Sequence, residues 1–339
     1  MIERILIVGY GSIGKRHLYL ARLLFPNADI RVLRHKPTGI AIKYANGVFY
    51  DVEEARNFTP QIAVIANPAP FHISTAQTLA EIGVHLLVEK PLSTSCNGIQ
   101  GLIEKCQNQN LILFTGYNLR FLPSLQEFRI LLSKGIIGKV LSVRCEVGQN
   151  LPSWRPESDY RNGVSSQFKL GGGALFELSH ELDYLRWIFG ECEWVKASLS
   201  RQSNLDIDVE DTAHLILGLA SLADNYQLIC SVDLDFIRHD TTRLCIAIGE
   251  KGSLRWNGIT GEVELYKAGE KDWKLLFSQR ERRDESYLEE WKNFIAAIEG
   301  RDVPLINGED GLKVIQIIEA ARKSSLAGVR VDIQSPQNL

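Results

Sequence analysis

Apolar positions along this chain show two textures, and the change between them organises the reading. In the first third, short unbroken apolar runs recur at Ile5–Val8, Ile62–Ala66, Val84–Val88 and Leu111–Thr115. A strand covered on both faces reads as such a run, whereas a half-solvated strand alternates. Helically spaced stretches separate the runs: Ile13, Leu18, Leu20, Ala21 and Leu24, then Ser74–Ile82, then Cys96–Cys106. With Asp29–Leu33 and Val48–Tyr50 as further strands, the pattern predicts a doubly wound parallel sheet with helices between the strands.

From about residue 139 the texture changes. Val140–Val147 alternates, Pro152–Gly173 reads as a polar loop, and Ala174–Phe189 carries a helical period. Alternating segments follow at Trp194–Ser200, Thr212–Leu219, Gln227–Leu234, Arg243–Ile248, Gly252–Trp256 and Glu262–Tyr266. They predict a mostly antiparallel sheet with one solvated or interface-forming face. Helices at Tyr287–Glu299 and Gly308–Ser325 close the chain, and Ser335–Leu339 reads as a loose tail.

The first apolar run ends in Gly9-Tyr10-Gly11-Ser12-Ile13-Gly14, at the mouth of the first helix. A G-x-G-x-x-G between a strand and a helix is the context of the dinucleotide fingerprint. Gly9 permits the tight turn, Gly11 lets the backbone approach a pyrophosphate, and Gly14 lets helix and strand pack closely. The helix N-terminus offers free N–H groups and a positive dipole end. The expected fold class is therefore α/β. A Rossmann domain spans residues 1–120, and an α+β domain for substrate binding and oligomerisation, built on a mostly antiparallel open sheet, spans residues 121–339.

Residues just after the strands face the ligand crevice of such a sheet. In a NAD site an acid about twenty residues past the glycines binds the ribose 2′-OH. Arg34, His35 and Lys36 stand there instead, and a cation neutralises a 2′-phosphate where a carboxylate would repel it. NADP(H) is favoured, with NAD(H) as the alternative and a solvated basic turn as the bland reading. After the fourth strand, Asn67-Pro68-Ala69-Pro70-Phe71-His72 makes a stiff turn in which Asn67, Pro68 and His72 are cofactor-contact candidates. After the fifth comes Glu89-Lys90-Pro91, where the proline holds Lys90 extended and aims its ammonium into the crevice. A lysine so placed can bond a substrate hydroxyl and steady developing alkoxide charge. A structural salt bridge is the rival for that pair.

The glycine fingerprint together with Glu89-Lys90-Pro91 resembles the glucose–fructose oxidoreductase and inositol dehydrogenase family. The resemblance runs on through Gly116-Tyr117-Asn118-Leu119-Arg120-Phe121, Gly135–Val140, and Gly171-Gly172-Gly173 followed by Glu177, His180 and Asp183. It implies a Rossmann domain plus an α/β domain whose open sheet commonly serves subunit association. It also implies oxidation or reduction of a sugar, polyol or related hydroxyl carbon with a nicotinamide cofactor. Asn118 joins the cofactor candidates and Arg120 the substrate candidates on this basis.

On a helix spanning Ala174–Phe189, Leu178, Leu182, Leu185 and Phe189 form one apolar stripe. Glu177, His180 and Asp183 fall on the other side. His180 can take the hydroxyl proton as hydride leaves, with a nearby carboxylate setting its tautomer. The family pattern puts an Asp four residues before this His. Here Glu177 stands three before it, either as partner of His180 or as a substrate ligand. Trp154, Arg155 and Tyr160, in the polar loop, mix stacking and hydrogen-bonding groups suited to a sugar.

The remaining composition narrows the class. A length of 339 residues suggests two cores, and 45% apolar with 23% charged residues is ordinary for a globular protein. The net charge of −3 gives no basic footprint for nucleic acid or anionic membrane. Six scattered cysteines show no metal-ligand spacing and read as reduced buried thiols, so no metal is expected. No apolar run approaches a membrane span, and a cytoplasmic location is expected. The expected protein is a homodimer or homotetramer, joined through the C-terminal sheet, that moves hydride between a nicotinamide and a small-molecule sugar, nucleotide sugar or cyclitol. Reduction of a C=C or C=N bond on the same fold is one alternative. A non-catalytic NAD(P)-sensing regulator is another, although a sensor needs neither Lys90 nor His180.

Overall fold

The structure, a computed structural model, describes residues 2–36, 41–220 and 227–333. The chain divides into two compact units, residues 1–117 with 287–315, and residues 118–286 with 316–339. The boundary expected near residue 120 falls at Tyr117. The segment 287–315, which the sequence placed in the second half, belongs with the first unit.

The first unit contains β1 (Arg4–Val8), α1 (Ser12–Leu24), β2 (Asp29–Leu33), β3 (Gly47–Phe49), α2 (Val52–Asn57), β4 (Ile62–Ile65), α3 (His72–Ala80), β5 (His85–Glu89), α4 (Ile99–Asn108) and β6 (Leu113–Gly116). All its strand pairs are parallel, in the order β3-β2-β1-β4-β5-β6. Winding reverses between β1 and β4, so the ligand crevice of such a sheet lies past the carboxyl ends of these two strands. The unbroken apolar runs have their expected cause: Ile5, Leu6, Ile7, Ile62, Ala63, Val64 and Ile65 are fully buried. Trp291 and Phe294 explain why residues 287–315 join this unit. Phe294 stacks edge-on to Phe114 at 5.7 Å, and Trp291 lies 6.3 Å from Phe25. A helical period announces a buried face without saying which sheet covers it.

The second unit contains α5 (Pro123–Ser133), β7 (Val140–Gly148), α6 (Leu151–Trp154), α7 (Ala174–Glu177), α8 (His180–Phe189), β8 (Cys192–Ser200), β9 (Thr212–Leu219), β10 (Leu228–Asp235), β11 (Thr242–Gly249), β12 (Gly252–Asn257), β13 (Glu262–Lys267) and β14 (Lys274–Ser278). The chain closes with α9 (Glu285–Ile298), α10 (Gly308–Ala327) and β15 (Val331–Asp332). The second sheet has nine strands in the order β14-β13-β12-β11-β7-β10-β9-β8-β15. It is antiparallel except where β7 pairs with β10. Its inner face packs on α5 and α8: Trp256 donates from Nε1 to Ser124 Oγ at 3.0 Å and meets Tyr184 edge-on at 5.4 Å. The strands β14 and β15 and the helices α2 and α5 lie where the sequence reading placed no element. The tail 335–339 lies outside the described residues.

One expectation fails in a way that matters. The single helix Ala174–Phe189 is two helices, broken at Leu178 and Ser179. Ala174, Leu175, Phe176, Leu178, Ser179, Leu182, Asp183, Tyr184 and Leu185 are all buried. There is accordingly no solvated face opposite a leucine stripe. Two short helices bury both sides of this segment where one straight helix would expose half of it.

Candidate cofactor and catalytic residues

The glycine loop is built as its sequence requires. Gly9 has φ +93°, and a Cβ there would lie 2.6 Å from Ala66 O. Its N–H donates to Leu33 O at 2.8 Å, tying the turn to the end of β2. A Cβ on Gly14 would lie 2.2 Å from Gly9 O, so the first turn of α1 rests directly on the loop. Gly11 differs. It caps α1 in extended backbone, φ −75° and ψ −168°, and an added Cβ would meet nothing within 4 Å. No acidic residue occupies the first turn of α1, and no side chain caps it. Ser12 and Ile13 open the helix, whose first amides are those an anion meets.

Arg34 leaves β2 and lays its guanidinium over the Tyr10 ring, 5.7 Å from the centroid. The basic turn therefore adjoins the glycine loop. His35 and Lys36 are exposed.

The two other strand-end turns are braced to each other. His72 is buried, with Nε2 2.7 Å from Asn67 O and Nδ1 3.0 Å from Pro91 O. Burial pushes the imidazole pKa down, against the backbone carbonyls that favour its charged form. His72 thus locks the Asn67-Pro68 turn to the Glu89-Lys90-Pro91 turn from beneath. That corrects its expected contact with cofactor, because both ring nitrogens are engaged with backbone. Asn67 bonds Thr75 Oγ1 through Nδ2 at 3.4 Å, while its Oδ1 is buried without a hydrogen-bond partner. The Lys90–Pro91 peptide is cis. Lys90 is half-buried at the end of β5. Glu89, expected at the cofactor, points inward: Oε1 bonds His17 Nε2 at 2.7 Å and Oε2 accepts the Lys90 N–H at 3.1 Å.

In the second unit the substrate and proton-handling candidates sort into two groups. Arg120 and Asp183 form a buried two-point pair, Nε to Oδ2 at 2.8 Å and Nη2 to Oδ1 at 2.6 Å, with side chains 3% and 1% exposed. Arg120 is thereby corrected from substrate ligand to core ion pair, and Asp183 from the outer face of a helix to the interior. Asn118, carried as a cofactor contact, donates from Nδ2 to Ser286 Oγ at 2.7 Å and is buried there. Glu177 ends α7 and His180 starts α8; both are half-buried. The helix break at Leu178 and Ser179 falls between them. Trp154 meets Phe236 edge-on at 5.2 Å and keeps a buried Nε1 without a hydrogen-bond partner. Tyr160 accepts the Asp206 N–H at 3.2 Å, and Arg155 is exposed.

Several groups around these elements carried no sequence signal. Glu181, fully buried, pairs with Arg243 at 2.8 Å. His17 sits on the buried face of α1, and Trp291 donates from Nε1 to its Nδ1 at 3.0 Å. Glu290 is also fully buried. Only the length of α1 and the fingerprint hinted that His17, three residues past Gly14, faces inward. Five of the six cysteines are buried, and burial raises the Cys106 thiol to about 11, leaving it inert at neutral pH. Among the described residues, no helix is long and apolar enough to cross a membrane.

The chain is similar to known proteins over nearly its whole length. Myo-inositol 2-dehydrogenase of Thermotoga maritima is 26% identical over 340 residues, covering 95% of this chain and 96% of that one. A levoglucosan dehydrogenase solved with NADH superimposes with a TM-score of 0.85 at 20% identity, covering 98% and 99% of the two chains. The WlbA dehydrogenase of Bordetella pertussis, solved with NADH and UDP-GlcNAcA, superimposes at 0.82 with 21% identity, covering 99% and 100%. Residues 3–117 match the oxidoreductase family's NAD-binding Rossmann fold, and residues 129–333 match that family's C-terminal alpha/beta domain. The chain belongs to the GFO/IDH/MocA oxidoreductase family.

Proposed function

We propose that this enzyme transfers hydride between a nicotinamide dinucleotide and a hydroxyl-bearing carbon of a sugar, nucleotide-linked sugar or cyclitol. The observation that carries the reading lies in the first unit. The glycine loop after β1, the Asn67 turn after β4 and Lys90 after β5 stand in a row at the switch point of the sheet. His72 fixes the second and third to each other. The relatives named for dehydrogenation of myo-inositol and levoglucosan support the substrate class.

The dinucleotide, when bound, supplies the hydride acceptor or donor. The chain's own residues do the rest. The open space over Gly11 and the free amides of α1 hold the pyrophosphate. Asn67 and Pro68 lie along the cofactor. Arg34, with His35 and Lys36, neutralises a 2′-phosphate, so NADP(H) is preferred over NAD(H). Lys90 hydrogen-bonds the reacting oxygen and steadies its negative charge. His180 accepts or returns the hydroxyl proton, and Glu177 is the carboxylate on its own segment. Trp154, Arg155 and Tyr160 serve the sugar.

Parallel calorimetric titrations with NADPH and NADH test the cofactor half of this reading. Tighter binding of NADPH, lost in Arg34→Ala, is expected. Tighter binding of NADH, unchanged in Arg34→Ala, overturns the 2′-phosphate assignment. Binding of neither overturns the oxidoreductase reading.

A further inference from the structure

Beneath Lys90 lies a buried layer that no part of the hydride-transfer reading uses. His17, Glu89 and Glu290 converge there, with one ligand-type atom of each lying within 4.8 Å of the others. All three are buried and all belong to the first unit. Trp291, next to Glu290 on α9, points its indole N–H at His17 Nδ1 from 3.0 Å.

The indole nitrogen only donates, so His17 Nδ1 must be the bare acceptor. The ring hydrogen then sits on Nε2 and is donated to Glu89 Oε1 at 2.7 Å. His17 is in this way fixed as a neutral imidazole with one tautomer. The same convergence would suit a cation, but the tautomer turns a hydrogen, not a lone pair, toward the carboxylates. Glu89 accepts on both oxygens, from His17 and from the Lys90 N–H at 3.1 Å. That is the hydrogen-bond pattern of an ionised carboxylate. Glu290 has neither oxygen in a hydrogen bond and shares the cavity with Glu89. Burial, then the Glu89 charge, pushes its carboxyl pKa well up, which favours the neutral acid. Gly116 completes the packing: a Cβ there would lie 3.2 Å from Glu89 Oε2.

We propose that Trp291, His17 and Glu290 are positioning residues for Lys90: they hold Glu89 as a single oriented carboxylate, and Glu89 fixes the Lys90 backbone. The chain of contacts runs from the Trp291 N–H to His17, from the His17 Nε2–H to Glu89, and from the Lys90 N–H to Glu89. Glu290 contributes by being uncharged, because a second carboxylate there would compete for the His17 hydrogen and repel Glu89. The role assigned to Lys90 in hydride transfer is the reading on which the functional part rests. The positioning itself is measurable without substrate.

Two measurements on the full chain test it. The ring-nitrogen NMR signals of His17 at neutral pH are expected to show one protonated nitrogen, Nε2, and one bare nitrogen, Nδ1. Trp291→Phe, which keeps the ring and removes the donor, should release this tautomer. In the same variant, and in Glu89→Gln, amide exchange at Lys90 should speed up roughly tenfold, the equivalent of one hydrogen bond of about 1.4 kcal/mol. Amides of Val64 and Leu87 in the core strands should not change. Glu290→Gln, neutral like the acid, should leave His17 and the Lys90 amide as in wild type, and a disturbance of either in this variant overturns the role given to Glu290. An imidazolium at His17, an Nδ1–H tautomer, or an unchanged Lys90 amide in Trp291→Phe overturns the proposal. In turnover, Trp291→Phe should lower kcat about tenfold with cofactor affinity unchanged. Wild-type kcat in Lys90→Ala would overturn the catalytic reading of Lys90, while the NMR and exchange results would still judge the positioning.

Discussion

Gly11→Ala separates the fold from the function of the glycine loop. The substitution adds one methyl where nothing lies within 4 Å, on backbone at φ −75° and ψ −168° that any residue adopts. Two stability terms oppose each other. Replacing Gly at a compatible site narrows the unfolded ensemble and gains about 0.4–1 kcal/mol. Alanine is a poorer helix cap than glycine, which costs a similar amount at the start of α1. The net change in stability should lie within about 0.5 kcal/mol, which thermal unfolding reads as a shift of roughly 2 °C or less. For the ligand the same methyl stands where the pyrophosphate must approach the amides of α1. Displacing one hydrogen bond to a charged phosphate costs about 1.5–3 kcal/mol, so the dinucleotide dissociation constant should rise about ten- to a hundredfold. The assay is a calorimetric titration with NADPH beside a melting curve of each protein. Wild-type affinity in Gly11→Ala would refute the placement of the pyrophosphate. A large fall in melting temperature would refute the open space.

Other perturbations separate structural from chemical roles. Arg120→Met should destabilise the protein by about 3–5 kcal/mol in urea unfolding, because the buried Asp183 carboxylate loses its two-point arginine partner. Arg120→Met with Asp183→Leu should recover most of that loss. A stable single variant with a raised substrate KM would return Arg120 to the substrate site. Glu290 has a folded-state pKa raised above its unfolded value, so between those values the folded state holds the extra proton and stability falls as pH rises. The slope approaches about 1.4 kcal/mol per pH unit, and Glu290→Gln should flatten the melting temperature against pH above about pH 5. Identical profiles for the two proteins would refute the neutral acid. Ile216 and Ile229 lie half-exposed on the outer face of the second sheet, separated from Leu244, Ile246 and Ile248 on β11 by Ser142, Arg144 and Glu146 of β7. Copies of the chain are proposed to associate through this face. Light scattering should then read more than one chain for the wild type and a single chain for Ile216→Asp with Ile229→Asp, and a monomeric wild type would refute the association.

The parts of this protein written in local sequence were legible. Strand runs covered on both faces, the glycine fingerprint and the Pro-stiffened turns are each fixed by residues within a few positions of one another, as β1 through Gly14 illustrates. Partners set by tertiary packing were not. Nothing near Arg120 announces Asp183, sixty-three residues on, and nothing near His17 announces Trp291. The break after Glu177 was hidden for a related reason. An apolar stripe was read off Leu178, Leu182, Leu185 and Phe189, but the intervening Asp183 and Tyr184 are buried as well. A carboxylate looks solvated in a sequence until its buried arginine is found. The inward turn of Glu89 belongs to the same class, since nothing beside Glu89 in the sequence announces the hydrogen bond it accepts from His17.

The central claim is that Lys90 acts on a substrate oxygen while hydride passes to or from a nicotinamide. It is tested most directly by absorbance at 340 nm, with NADP+ and NAD+ supplied in turn, against a panel of cyclitols, hexoses, anhydrosugars and nucleotide-linked uronates. The account predicts cofactor reduction with at least one member of the panel, and a loss of kcat of at least a hundredfold in Lys90→Ala with cofactor affinity retained. Turnover that survives intact in Lys90→Ala would contradict it.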